Sequence, residues 1–153
     1  MRSGGLGKLI LKGRAVYEGR AEGEALVSAL PMSFYGGVDP RTGEVVEQGS
    51  DILGRSLKGK VLVFPTGKGS TVGSYALYRL AKGGIGPSAI INSKCETIVA
   101  VGAIISEIPC VDLIDISRIK TGSSIVVEGG TVQVSDDETS DIFSAQRRSV
   151  LRA

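Results

Sequence analysis

Val61-Leu62-Val63-Phe64 is an unbroken apolar run with strand character. Four apolar residues without alternation suit a strand covered on both faces. Pro65 has no N–H to give to a sheet ladder, so the strand is expected to end there. Gly67, Gly69 and Gly73 follow. Tyr75, Leu77, Tyr78, Leu80 and Ala81 then recur at helical spacing, and Gly83-Gly84 gives a stop. Ser88-Ala89-Ile90-Ile91-Asn92 reads as the next strand. Strand, helix and strand joined by short connections predict a βαβ unit with parallel strands and a right-handed crossover.

The flanks carry weaker patterns. Lys8 to Tyr17 predicts one strand, with Gly13 as a bulge or bend. Ala21 to Ala29 predicts a second, and the Glu18-Gly19 turn between them suits antiparallel strands. Pro31 to Ser56 is irregular, with Arg41–Val46 as a turn entering a short strand and Asp51–Leu57 as one helical turn. Within it, Ser33-Phe34-Tyr35-Gly36-Gly37-Val38-Asp39-Pro40 combines breakers with two aromatics. Such a loop is either functional or a compact surface loop whose rings pack on the core. Cys95 to Ile105 predicts a second helix, its Gly102 suited to close packing on a sheet, although its β-branched content pulls toward a strand. Ile108–Asp112 is a short strand, and Ile125–Val134 is a hairpin turning at Gly129-Gly130. A polar run after Ser135 opens a C-terminal extension, 135–153. Residues 1–153 thus read as a single α/β domain with a core of about 8–134. A three-layer β/β/α arrangement would bury the central strands on both faces.

Composition narrows the chemistry. Hydrophobic residues are 42% of the 153, aromatics only 5%, and glycines number 22, which suits small aliphatic packing and tight turns. Eighteen Lys and Arg against 16 Asp and Glu leave a formal charge of +2, too balanced for a nucleic-acid footprint. There is no His, which excludes a Ser-His-Asp triad and His-ligated metal sites. Cys95 and Cys110 are too few for a four-Cys zinc site or an iron–sulfur cluster unaided. Reduced core thiols are the default, with a disulfide left open. No apolar run approaches the roughly 18–20 residues that span a bilayer, and no signal-like region opens the chain. A soluble cytoplasmic protein is the expectation.

Candidate chemistry concentrates at Gly67–Thr71, beyond the carboxyl end of the central strand, where α/β sheets bind ligands. The first N–H groups of a helix lack intrahelical partners and favour an anion. Ser70 and Thr71 add hydroxyls and Lys68 a cation. The turn suits a phosphate, a carboxylate or a serine alkoxide. The competing reading is an ordinary N-cap preceded by turn glycines. It is no Walker A loop, because Leu62 stands where that motif needs glycine.

Three motifs in order resemble a known family. Ser33-Phe34-Tyr35-Gly36-Gly37-Val38-Asp39-Pro40-Arg41-Thr42-Gly43, then Phe64-Pro65-Thr66-Gly67-Lys68-Gly69-Ser70, then Gly86-Pro87-Ser88-Ala89-Ile90-Ile91 look like the small, swivel-domain subunit of the aconitase X group. The resemblance runs from about Lys8 to Val134. It implies a two-chain hydro-lyase whose large subunit holds a [4Fe-4S] cluster, with iron as the Lewis acid for the departing hydroxyl. The swivel chain closes over that site and brings a serine, which maps onto Ser70 as proton acceptor. Lys68, Gly69, Thr71, Gly36 and Gly37 fall where substrate contacts are expected. Asp39 is a contact or a turn residue, with the structural role favoured. A free-standing small chain is similar to the archaeal branch that dehydrates mevalonate 5-phosphate to trans-anhydromevalonate 5-phosphate, on a route to isoprenoids. The alternatives are a relative acting on another hydroxy acid, such as a hydroxyproline, and a non-catalytic module that binds a phosphorylated metabolite.

Overall fold

A computed structural model describes residues 8–135 of the chain. The C-terminal extension expected over 135–153 therefore lies, beyond Ser135, outside the described residues. Eight strands and two helices follow in chain order: β1 (Lys8–Lys12), β2 (Arg14–Tyr17), β3 (Arg20–Val27), β4 (Val61–Phe64), α1 (Val72–Lys82), β5 (Ala89–Asn92), α2 (Thr97–Ser106), β6 (Cys110–Asp112), β7 (Ser124–Glu128) and β8 (Thr131–Ser135). Their sheet order is β1-β8-β7-β3-β4-β5-β6-β2.

The predicted βαβ unit is present. β4 and β5 run parallel, with Val61 opposite Ala89 and Phe64 opposite Asn92. β3 joins β4 in parallel through Ala25–Val27, while its first half, Arg20–Glu24, pairs antiparallel with β7. One strand thus serves two sheet segments. The hairpin β7–β8 folds over one face of the parallel strands, and α1 and α2 cover the other. This is the β/β/α layering expected from the sequence. Alternate residues of β4 show why its pattern has no period. Leu62 and Phe64 pack with Leu77, Leu80 and Val99 on the helical side. Val61 and Val63 pack with Ile125, Val127 and Val132 on the hairpin side.

Four expectations need correction. The stretch Lys8–Tyr17 is two strands rather than one. β1 pairs with β8 and β2 with β6, at opposite ends of the sheet order. The crossing point is Gly13, where an added Cβ would stand 2.2 Å from the Asp112 carbonyl oxygen, so no larger residue fits. Consequently β2 and β3 do not pair with each other, despite the tight turn between them. Gly102 does bring α2 close to a neighbour, but the neighbour is α1. A Cβ there would lie 3.0 Å from Leu77 Cδ2 and 3.3 Å from Ser74 Cα. The short strand expected near Arg41–Val46 amounts to two isolated bridges, Val38 with Val45 and Glu44 with Ser56.

Candidate active site

The loop between β3 and β4 is irregular in backbone yet anchored. Met32, Phe34, Val38, Val45, Ile52 and Leu57 are all buried in the helical-side core. Phe34 meets Phe64 edge-on, with ring centroids 5.9 Å apart. Tyr35, by contrast, is 60% exposed, so only one of the two loop rings packs on the core. The loop also docks on the glycine turn through backbone hydrogen bonds. The Met32 amide donates to the Thr66 carbonyl at 3.1 Å, and the Lys68 amide donates to the Met32 carbonyl at 2.9 Å.

This docking gathers most of the residues singled out from sequence. Ser33, Tyr35, Gly36, Gly37, Glu47, Lys68 and Gly69 line a recess of about 380 Å³. Gly69 has φ +106°, a conformation that side chains disfavour, and a Cβ there would meet Ser33 Oγ at 2.8 Å. Ser70 and Thr71 follow at the front of α1, exposed and outside the lining of the recess. Asp39 is a turn residue: its Oδ1 accepts the Arg41 amide at 2.8 Å, and its carbonyl accepts the Thr42 and Gly43 amides. A larger recess, about 570 Å³, lies between this loop and the outer face of α1, with Val46, Tyr75 and Arg79 in its wall. It shares Gly36 but holds neither Lys68 nor Gly37 nor Gly69, so the smaller recess is the better candidate for chemistry.

The N-cap reading of the turn does not hold for the side chains. Thr71 is the cap residue of α1, but its hydroxyl makes no capping bond. The Ser70 hydroxyl has no hydrogen bond among the described residues. Two early amides instead turn back on the chain, Gly73 to the Ser70 carbonyl at 2.9 Å and Ser74 to the Thr71 carbonyl at 3.3 Å. This leaves fewer donors for an anion than a helix start offers in principle. The Ser70 hydroxyl is left available at the front of α1, next to Gly69.

Sequence reasoning missed Glu47. Its Oε2 accepts from Lys68 Nζ at 2.5 Å. An acid in a turn 21 residues before the lysine carries no local signal of that pairing. Glu96 was missed likewise. It caps α2 by accepting the Ile98 and Val99 amides at 3.0 and 2.9 Å, and it packs against Gly67 so closely that a Cβ there would lie 2.5 Å from Glu96 Oε1.

Behind α2, Asp112 is fully buried, yet it binds the exposed Arg14 side chain through two contacts of 3.0 and 2.8 Å. It also accepts the Cys95 amide at 3.0 Å. Burial pushes its carboxyl up, but the guanidinium and the amide outweigh burial and hold the group below its ordinary value. Cys95 and Cys110 are free thiols with Sγ atoms 3.9 Å apart. Their mutual hydrogen bond, with burial, pushes Cys110 up, and the same bond lowers Cys95. Two facing thiols do not fit an iron–sulfur cluster. Among the described residues, no group of three or more His, Cys, Asp or Glu side chains could hold a metal ion. No helix among them is long and apolar enough to cross a membrane.

A layered β/β/α fold with a serine-bearing glycine turn at the end of β4 defines a class of protein, and the comparisons agree on which. The family model for the aconitase X swivel domain matches residues 10–135, and the chain belongs to that family. It is 56% identical over 129 residues to the phosphomevalonate dehydratase small subunit of Thermococcus kodakarensis, covering 83% of this chain and 97% of that one. The protein of the same name from Methanosarcina acetivorans is 56% identical over 128 residues, covering 84% and 86%. Among solved structures, the holo-form crystal structure of Thermococcus kodakaraensis aconitase X superposes with a TM-score of 0.82 at 55% identity, covering 84% of this chain and 99% of that one. The solution structure of a UPF0107 protein gives 0.75 at 47% identity, covering 84% of this chain and 100% of that one.

Proposed function

We propose that this chain is the small subunit of a phosphomevalonate dehydratase, working with a large subunit in the cytoplasm, and that Ser70 is its proton acceptor. The names of relatives at 56% identity support the reaction class. The observation that carries the residue assignment is the Ser70 hydroxyl, which makes neither a cap nor any other hydrogen bond among the described residues. A serine serving only to start the helix would use that oxygen on an amide of the first turn.

In this reading the substrate is mevalonate 5-phosphate. Ser70, as the alkoxide, takes a proton from the carbon next to the one bearing the hydroxyl. The C–H electron pair becomes the new C=C bond, the hydroxyl departs with its own pair as hydroxide, and the proton from carbon, passed on from Ser70, completes the one water lost. An alkoxide needs positive potential around it. Here the front of α1 supplies it, while Lys68 offers its ammonium to the anionic group of the substrate, the backbone of Gly36, Gly37 and Gly69 contacts the substrate, and Thr71 offers a second hydroxyl. The [4Fe-4S] cluster belongs to the partner and contributes Lewis acidity there. The whole chain is read as one swivel domain with a C-terminal extension.

The test is anaerobic mixing with the cluster-loaded large subunit and a direct assay for trans-anhydromevalonate 5-phosphate. Turnover by the mixture, with none by either chain alone, is expected. A complex that forms but dehydrates a hydroxyproline and not mevalonate 5-phosphate would overturn the substrate assignment.

A further inference from the structure

The lysine at the turn is held at both ends by the same loop. Its amide donates to the Met32 carbonyl, and its ammonium donates to Glu47. Glu47 is fixed in turn. Its amide donates to the Gly37 carbonyl at 3.2 Å, and its Oε1 lies 3.1 Å from where a Gly37 Cβ would stand. The carboxylate therefore lies over a glycine that leaves room for it. The ammonium side chain is 50% exposed and the carboxylate 29%, so the pair forms part of the wall of the recess. Pairs so open to water add little to stability, which makes a purely structural purpose a weak explanation. A lysine stem has many rotamers, and orienting it needs a fixed partner.

We propose that Glu47 is a positioning residue for this site. It holds the Lys68 ammonium in the wall of the glycine-lined recess, which Gly69 shares, where an anionic group of the substrate docks. The identity of that substrate rests on the reading above; the positioning itself does not. Lys68 binds the anion in ground and transition states alike, so misplacing it weakens binding more than turnover.

The experiment measures kcat and KM of the reconstituted complex with mevalonate 5-phosphate, for wild type, Glu47→Gln, Glu47→Asp, Lys68→Ala and the Glu47→Gln/Lys68→Ala double variant. Glu47→Gln is expected to raise KM about ten-fold with kcat within about three-fold, and Glu47→Asp to recover part of the loss. On the Lys68→Ala background, Glu47→Gln should add less than about two-fold, because the two residues act as one unit. An unchanged KM, or an equal effect with and without Lys68, would overturn the proposal. If the wild-type complex does not turn over this substrate, the functional reading fails, and the positioning is still read from the full chain alone. There, acetylation of Lys68 by an N-hydroxysuccinimide ester is followed by mass spectrometry, with exposed Lys94 as reference. Glu47→Gln should speed Lys68 labelling several-fold, and an unchanged rate would contradict the pairing.

Discussion

Two adjacent glycines in the loop are glycine for different reasons, and replacing each by alanine should separate those reasons. Gly36 has φ +84° with nothing within 4 Å of an added Cβ. Alanine there meets only backbone strain, about 1 kcal/mol. At Gly37 a Cβ would stand 2.2 Å from the Ser33 carbonyl oxygen and 3.3 Å from its carbon. Backbone cannot rotate away as a side chain can, so the Ser33–Gly37 turn must open. The Gly37 carbonyl also accepts the Val46 and Glu47 amides at 2.9 and 3.2 Å, and opening the turn disturbs both. Overpacking of this kind costs about 1–3 kcal/mol, and a weakened hydrogen bond adds about 1. Gly37→Ala should therefore lose about 2–4 kcal/mol in urea unfolding, at unchanged m-value. Released from its seat over Gly37, Glu47 should also lose its grip on Lys68, so Lys68 acetylation should rise in Gly37→Ala and not in Gly36→Ala. Equal destabilisation by the two variants would refute the reasoning, because it would mean that φ, and not the contact with Ser33, sets the need for glycine.

Two further predictions concern the frame of the site. Asp112 has a folded pKa below its unfolded value, so its contribution to stability is present above the unfolded pKa and lost as pH falls through the folded one. Wild type should lose stability in urea unfolding below about pH 4, and Asp112→Asn should flatten that acid limb; an unchanged limb would assign it to other carboxyls. Phe34→Ala should cost about 3–5 kcal/mol by calorimetry, since a buried ring against Phe64 is lost, while Tyr35→Ala should stay within about 0.5 kcal/mol because that ring is exposed.

The central unit was legible because its signals are local. A both-faces-buried strand, a proline stop, a glycine turn and a helical repeat sit within Val61–Gly84, and the Gly129-Gly130 hairpin is as compact. The family resemblance rests on three short motifs, at 33–43, 64–70 and 86–91, and the family match bears it out. What failed depends on partners far away in sequence. Gly13 sends β1 and β2 to opposite ends of the sheet order, a decision made by Asp112 and Val132-side pairing rather than by residues nearby. Gly102 meets a helix and not the expected sheet, because periodicity reports that a face is buried and not what covers it. At the site, the lysine and the glycines were visible as a motif. The carboxylate that fixes the lysine was not, since it comes from an irregular loop whose fold is set by buried Phe34, Val38 and Ile52.

The proposed dehydration rests on Ser70 as the base. The most direct test is the Ser70→Ala variant in the reconstituted two-chain complex, with complex formation measured alongside dehydration of mevalonate 5-phosphate. The prediction is normal assembly with kcat reduced at least about a thousand-fold and KM little changed, as for an interaction made only in the transition state. Full activity of Ser70→Ala in an intact complex would contradict it and leave Ser70 as no more than a residue of the turn.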